Sequence, residues 1–98
     1  MEVQYGDDQL ENLATKGGFT KGFPQAVVTK FRQRMQQLEA AKDERVLREL
    51  KSLHFEKLKG DRDHQHSIKL NDQWRVILEF DEGTTPKTVI VIGIEDYH

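Results

Sequence analysis

Cysteine does not occur in the 98 residues, so disulfides and thiolate metal sites are excluded and the redox compartment is left open. Long apolar runs are also lacking. The longest, residues 89–92, is far too short to cross a bilayer. The opening stretch MEVQYGDDQLENL has no basic segment followed by an apolar one, so no secretory leader is expected and the cytoplasm is the default location. Prolines number two, and no repeat, low-complexity tract or Pro/Gly/Ser-rich linker divides the chain. A single domain over 1–98, with one modest core, is the expectation.

A strong charge of one sign is missing as well, since the net is −2 with 33% charged residues. Its distribution is uneven. Residues 1–44 carry 6 basic and 7 acidic side chains, residues 45–75 carry 8 and 5, and residues 76–98 carry 1 and 5. A locally basic middle segment therefore sits inside an acidic chain. Charge alone is accounted for by a solvated, mixed surface.

What is present divides into a helical half and a strand-like half. MEVQY suits a first strand. DDQLENLATK reads as a short helix capped by Asp7 or Asp8, with Leu10 and Leu13 on one face. Three glycines and a proline punctuate residues 14–25. Pro24 suits the first turn of a second helix, in which Ala26, Val27, Phe31, Met35 and Leu38 form one stripe. Lys30, Arg32, Arg34, Gln36 and Gln37 fall mostly off it. DERVLREL reads as a third short helical turn capped by Asp43.

From Phe55 onwards the period shortens. Ile68 and Leu70 alternate onto one face, Asn71 and Asp72 make a turn, and QWRVILEF follows. Trp74, Val76, Leu78 and Phe80 then share one face, with Arg75, Ile77 and Glu79 on the other. KTVIVIGIEDYH is apolar on both faces, as a strand in a sheet interior is. The order β-α-α-β-β-β predicts an α+β domain with the N-terminal helices on one face of a small, mainly antiparallel sheet.

Four features bear on chemistry. Lys57 and Lys59, two apart, point the same way on a strand, either guarding a sheet edge or forming a phosphate-binding face before a turn at Gly60 and Asp61. His64 and His66 share a strand face at a spacing that can hold a metal, but no third ligand lies nearby in sequence, and no metal is expected. Arg75, alone among apolar residues, needs a partner. That partner is either an ion pair with Glu79, Glu95 or Asp96, or a phosphate matched to its rigid fork. Asp96, Tyr97 and His98 either close the core with an aromatic edge or supply proton acceptors and donors. RNA cleavage without a cofactor needs such a set. One group removes the 2′-OH proton, another protonates the departing 5′ oxygen, and cations meet the phosphorane charge.

EKLKGDR, HSIKLNDQWRVILEF and the terminal IEDYH, in that order, resemble the RelE/ParE-type toxins of toxin–antitoxin pairs, and their HigB branch in particular. The likeness spans residues 53–98, and two helices before the sheet fit the same family. It implies a toxin that enters the ribosomal A site and cuts mRNA there. A cognate helix-turn-helix antitoxin, HigA-like, would hold it inactive, and contact with DNA would come only through that antitoxin. Carried over by motif, Lys59 and Arg75 stabilise the phosphorane, Tyr97 or His98 exchanges the protons, and Asp96 orients or assists. His54, Lys57, Arg62 and Lys69 of the basic segment are the candidate RNA or ribosome contacts.

Two departures from the family pattern stand out. Many HigB members have a histidine three residues before the motif lysine, where this chain has Glu56. The local histidine is His54, which on a strand would share that face about 7 Å away. The acidic balance is the second departure. A weak global field lowers affinity for free RNA, in keeping with a ribosome that positions the message. Readings from other classes are a ParE-like toxin that blocks DNA gyrase without catalysis, and an inactive module that only engages an antitoxin or ribosome.

Overall fold

The computed structural model describes residues 1–85 and 87–96. Tyr97 and His98, two of the residues expected to carry proton chemistry, lie outside the described residues. The element order is β1 (Glu2–Tyr5), α1 (Asp8–Thr15), α2 (Gln25–Ala40), α3 (Glu44–Glu49), β2 (Glu56–Lys57), β3 (His66–Lys69), β4 (Trp74–Asp81) and β5 (Thr88–Asp96). Short 3₁₀ turns over Lys51–Leu53 and Gly60–Arg62 flank β2. Among the described residues one sheet runs in the order β1-β5-β4-β3-β2, antiparallel throughout except for the parallel pair of β1 and β5. The α+β expectation holds.

The helices form where local chemistry starts and stops them. Asp7 caps α1, its carboxylate accepting from the Leu10 amide at 2.8 Å, which satisfies one of the orphan donors of a first turn. Leu10 and Leu13 then lie fully buried. Pro24 stands just before α2 rather than inside its first turn, with its carbonyl accepting from Val27 and Val28. The buried stripe of α2 is Val27, Val28, Phe31, Arg34, Met35 and Leu38, and Ala26 is exposed. Arg32 on α2 donates to the carbonyls of Leu13 at 3.0 Å and Lys16 at 2.7 Å, tying the end of α1 to α2. A cation on these last carbonyls also suits the helix dipole.

This stripe meets Ile68, Val76, Leu78, Val89 and Val91 from one face of the sheet, with Trp74, Phe80 and Ile94 at its margins. Phe23, from the loop before α2, packs edge-on against Trp74 at 5.2 Å between ring centres. Asn71 shapes the β3-to-β4 turn, its side-chain oxygen accepting from the amides of Gln73 and Trp74 at 2.9 and 2.7 Å. As expected from its two apolar faces, β5 lies inside the sheet, between β1 and β4.

One irregularity matters for the site. Ile77 pairs with Gly93 and Leu78 with Val91, so β5 carries one extra residue, Ile92, at a bulge. Uninterrupted alternation from Val89 and Val91 would turn Glu95 toward the helices. The bulge instead returns Ile94 to the core side and places Glu95 on the helix-free face.

Candidate active site

On that helix-free face a cleft of about 180 Å³ opens between the 3₁₀ turn Gly60–Arg62 and the ends of β4 and β5. Glu56, Leu58, Arg62, Ser67, Arg75, Ile77, Glu95 and Asp96 line it. Strand periodicity brings them together. Glu56 lies opposite Ser67, Ser67 opposite Ile77, and Arg75 opposite Glu95. Ile77 is 2% exposed yet stands on the far side of the sheet from the helix-packed core, giving the cleft an apolar floor.

The guanidinium of Arg75 has little access to water, with an 11% exposed side chain. Its Nη1 donates to Ser67 Oγ at 2.9 Å and to Glu56 Oε2 at 3.3 Å. Arg62 enters from the 3₁₀ turn, where Gly60 adopts a positive φ of 70° that few other residues accept. Its two Nη atoms grip both carboxylate oxygens of Glu95 at 3.0 and 2.8 Å, and this pairing raises the Arg62 pKa above its ordinary value. Arg62 Nε donates to Gln65 at 3.0 Å, and Gln65 donates to Glu79 at 2.9 Å. Asp96 accepts from Gln73 Nε2 at 3.2 Å. Two arginines thus face three carboxylates in one concave site.

The site residues expected from the sequence divide over the molecule. Arg75, Arg62 and Asp96 line the cleft. Lys59 does not lie on a strand, because β2 ends at Lys57; it is exposed at the entry to the 3₁₀ turn, outside the cleft lining. Lys57 pairs across from His66 and faces the helix side, so the two lysines do not share a strand face. Lys69 is bound at 3.1 Å to Asp72. His54 follows the 3₁₀ turn Lys51–Leu53 in a left-handed conformation, with φ 46°. The strand that would have put it on one face with Glu56 begins only at Glu56, so that relation lapses.

The histidine pair also separates. His64 sits in the turn before β3, while His66 opens β3 and stacks on Phe55 at 4.9 Å between ring centres. Among the described residues no group of three His, Asp or Glu is gathered for a metal ion. His66 instead borders a second, shallow cleft of about 410 Å³ on the helix side, with Glu44, Arg48, Lys57 and Glu82 around it.

Glu56 as a partner of Arg75, Ser67 as its second acceptor and the Arg62 grip on Glu95 carry no local signature in the sequence. Gly93 inside an apolar strand is the one local sign of the bulge that re-aims Glu95.

Comparison with known proteins gives three concordant results. A family model described as "RelE-like toxin of type II toxin-antitoxin system HigB" matches residues 3–98. The chain is 33% identical over 87 residues to "Endoribonuclease HigB" of Proteus vulgaris, a match covering 88% of each. Its fold resembles the "YoeB/ParE toxin from Agrobacterium tumefaciens" with a TM-score of 0.65 over the full length of both chains, at 14% identity.

Proposed function

The chain belongs to the HigB-like family of RelE-like toxins of type II toxin–antitoxin systems, and from that premise we propose that it is a ribosome-dependent mRNA endoribonuclease. The observation that carries this reading is the cleft itself, where Arg75 and Arg62 stand beside proton-accepting carboxylates on a helix-free sheet face. An endoribonuclease among the relatives supplies the reaction class.

In the proposed reaction the 2′-oxygen of one nucleotide attacks its own 3′-phosphate. The new bond is 2′-O to phosphorus, the bond to the 5′ oxygen breaks, and a cyclic phosphate and a 5′-hydroxyl remain. A base takes the 2′-OH proton and an acid returns one to the departing oxygen. Tyr97 and His98, which follow Asp96 in the sequence, are the candidates for these exchanges. Glu56, 3.3 Å from Arg75, is a further acceptor that the geometry adds. Arg75 meets the phosphorane charge, with Lys59 reaching in from the rim, and Asp96 orients or assists. Arg62 contacts the RNA backbone, and His54, Lys57 and Lys69 contact RNA or ribosome outside the cleft. The partner that holds the toxin inactive is a HigA-like helix-turn-helix antitoxin.

The test is induction of the protein in a host cell, followed by mapping of mRNA 5′ ends. New ends at codon positions within translated messages, lost when translation initiation is blocked, are the expected result. Replication arrest without such ends would identify a gyrase poison, and unimpaired growth an inert binding module.

A further inference from the structure

The grip of Arg62 on Glu95 does more than close one wall of the cleft. Both side chains are about half exposed, at 42% and 48%, and exposed pairs of this kind contribute little to stability. Their arrangement is nonetheless specific. The two residues are 33 apart in sequence, the contact is two-pronged, and Gln65 holds the third guanidinium nitrogen in place. Glu95 reaches the cleft only because β5 is bulged, and a regular strand would have turned it away.

We propose that Glu95 is a specificity-determining residue that bars unpositioned RNA from the cleft by occupying the phosphate-binding fork of Arg62. This rests on the ribonuclease reading. With both Nη atoms on Glu95 and Nε on Gln65, the end-on fork of Arg62 is filled and its side-on fork is engaged as well. A phosphodiester entering from solution must displace the carboxylate and then remain beside it, since Glu95 is anchored on the strand directly opposite Arg75. With Glu56 and Asp96 also present, the lining among the described residues holds one more carboxylate than guanidinium groups. Free RNA therefore meets a cleft with no net attraction. RNA held in place by another body has its entropy of association already lost and can exchange with Glu95 at low cost. Discrimination thus lies in a carboxylate that competes with phosphate for one arginine.

Binding of a fluorescent, uncleavable 2′-O-methyl oligonucleotide to the full chain tests this. Glu95→Gln keeps the shape and removes the charge, so it is expected to bind roughly 3- to 20-fold tighter than the unmodified protein at low salt. The gain should shrink as salt is raised. Glu49→Gln, on the exposed side of α3, controls for net charge and should change binding less than twofold. In the double variant Glu95→Gln with Arg62→Gln, most of the gain should disappear. Binding by Glu95→Gln that is undetectable, unchanged or matched by Glu49→Gln overturns the proposal, as does a gain that survives loss of Arg62. Cleavage mapping in cells is independent of this assay. Intact mRNA with a tighter-binding Glu95→Gln sinks the ribonuclease reading alone, and cut mRNA with unchanged binding sinks the barrier alone.

Discussion

Arg75 reaches Glu56 across two strand pairings and 19 residues of sequence, with Nη1 3.3 Å from the carboxylate and 2.9 Å from Ser67 Oγ. The contact joins β4 to the short edge strand β2 through β3, so the guanidinium is held by its surroundings before any substrate arrives. A pre-positioned cation stabilises developing charge without reorganisation. On the proposed endoribonuclease function, Arg75→Met is expected to lower mRNA cleavage about 100- to 1000-fold, while stability falls by only about 1 kcal/mol. Arg75→Lys should recover a small part, because it keeps the charge but lacks the rigid planar fork that can hold two phosphate oxygens at once. Primer extension on ribosome-bound message gives the rates, and thermal melting gives the stability.

Arg34, in the mostly polar stretch FRQRMQQ and not among apolar residues, plays a different part. It is 7% exposed and donates to the carbonyls of Lys69 at 2.9 Å and Ser52 at 3.2 Å, and to the Gln37 side chain at 3.0 Å. Burial lowers its pKa. These neutral oxygens come from three separate segments, so Arg34 ties α2 to the end of β3 and to the 3₁₀ turn Lys51–Leu53. Arg34→Met would fill the space and leave the carbonyls without their donors, at a cost of about 2–4 kcal/mol. In a domain of this size that is a fall in melting temperature of roughly 10 °C or more. A melt of Arg34→Met within 3 °C of the unmodified protein would show that the tie is dispensable.

Periodicity made much of this architecture readable. Leu10 and Leu13, the alternation of Trp74, Val76, Leu78 and Phe80, and the two apolar faces of β5 all lie where local patterns place them. Patterns of this kind report which face of an element is buried, though on α2 they include the exposed Ala26 and miss the buried Val28 and Arg34. They do not report register. Arg34 falls off the apolar stripe of α2 in the sequence, and two of its three acceptors are backbone carbonyls, which carry no side-chain signature. Glu56 was read as a departure from a family pattern, and its pairing with Arg75 depends on β2 aligning with β3. Glu95 required the bulge, which Gly93 hints at but only the pairing of β4 with β5 establishes. The cleft is therefore a product of pairing between strands, and only its individual residues were visible beforehand.

His66 gives the stability a pH dependence with a definite sign. Desolvation lowers its pKa, with Glu44 and Glu82 opposing the shift and Arg48 and Lys57 adding to it. Its ring lies flat on Phe55 and edge-on to Phe80, and Nδ1 is buried with no hydrogen-bond partner among the described residues. A histidine whose folded pKa is depressed binds fewer protons in the native state than in the unfolded one. Its contribution is then fully present above the unfolded pKa and is lost as pH falls toward the folded value. Melting temperature should drop as pH is taken from 7.5 toward 5, and His66→Phe, which keeps the stacking, should flatten that slope. An unchanged slope in His66→Phe would assign the effect to other groups.

Removal of Tyr97 and His98 separates chemistry from folding most directly. Among the described residues, the core contacts of β5 come from Val89, Val91 and Ile94. Pairing of β5 with β4 extends to Asp96 opposite Trp74. Truncation after Asp96 should therefore leave the fold and most of the melting temperature intact. If the two residues exchange the protons of the reaction, cleavage should fall by at least about 100-fold. Tyr97→Phe and His98→Gln, made singly, divide the loss without changing chain length. A base is needed for the first bond and an acid for the second, so whichever variant shifts the acidic limb of the pH–rate profile identifies the group that must be deprotonated. A folded, truncated protein that still cuts ribosome-bound mRNA at the full rate would move the chemistry to Glu56, Asp96 and the arginines of the cleft.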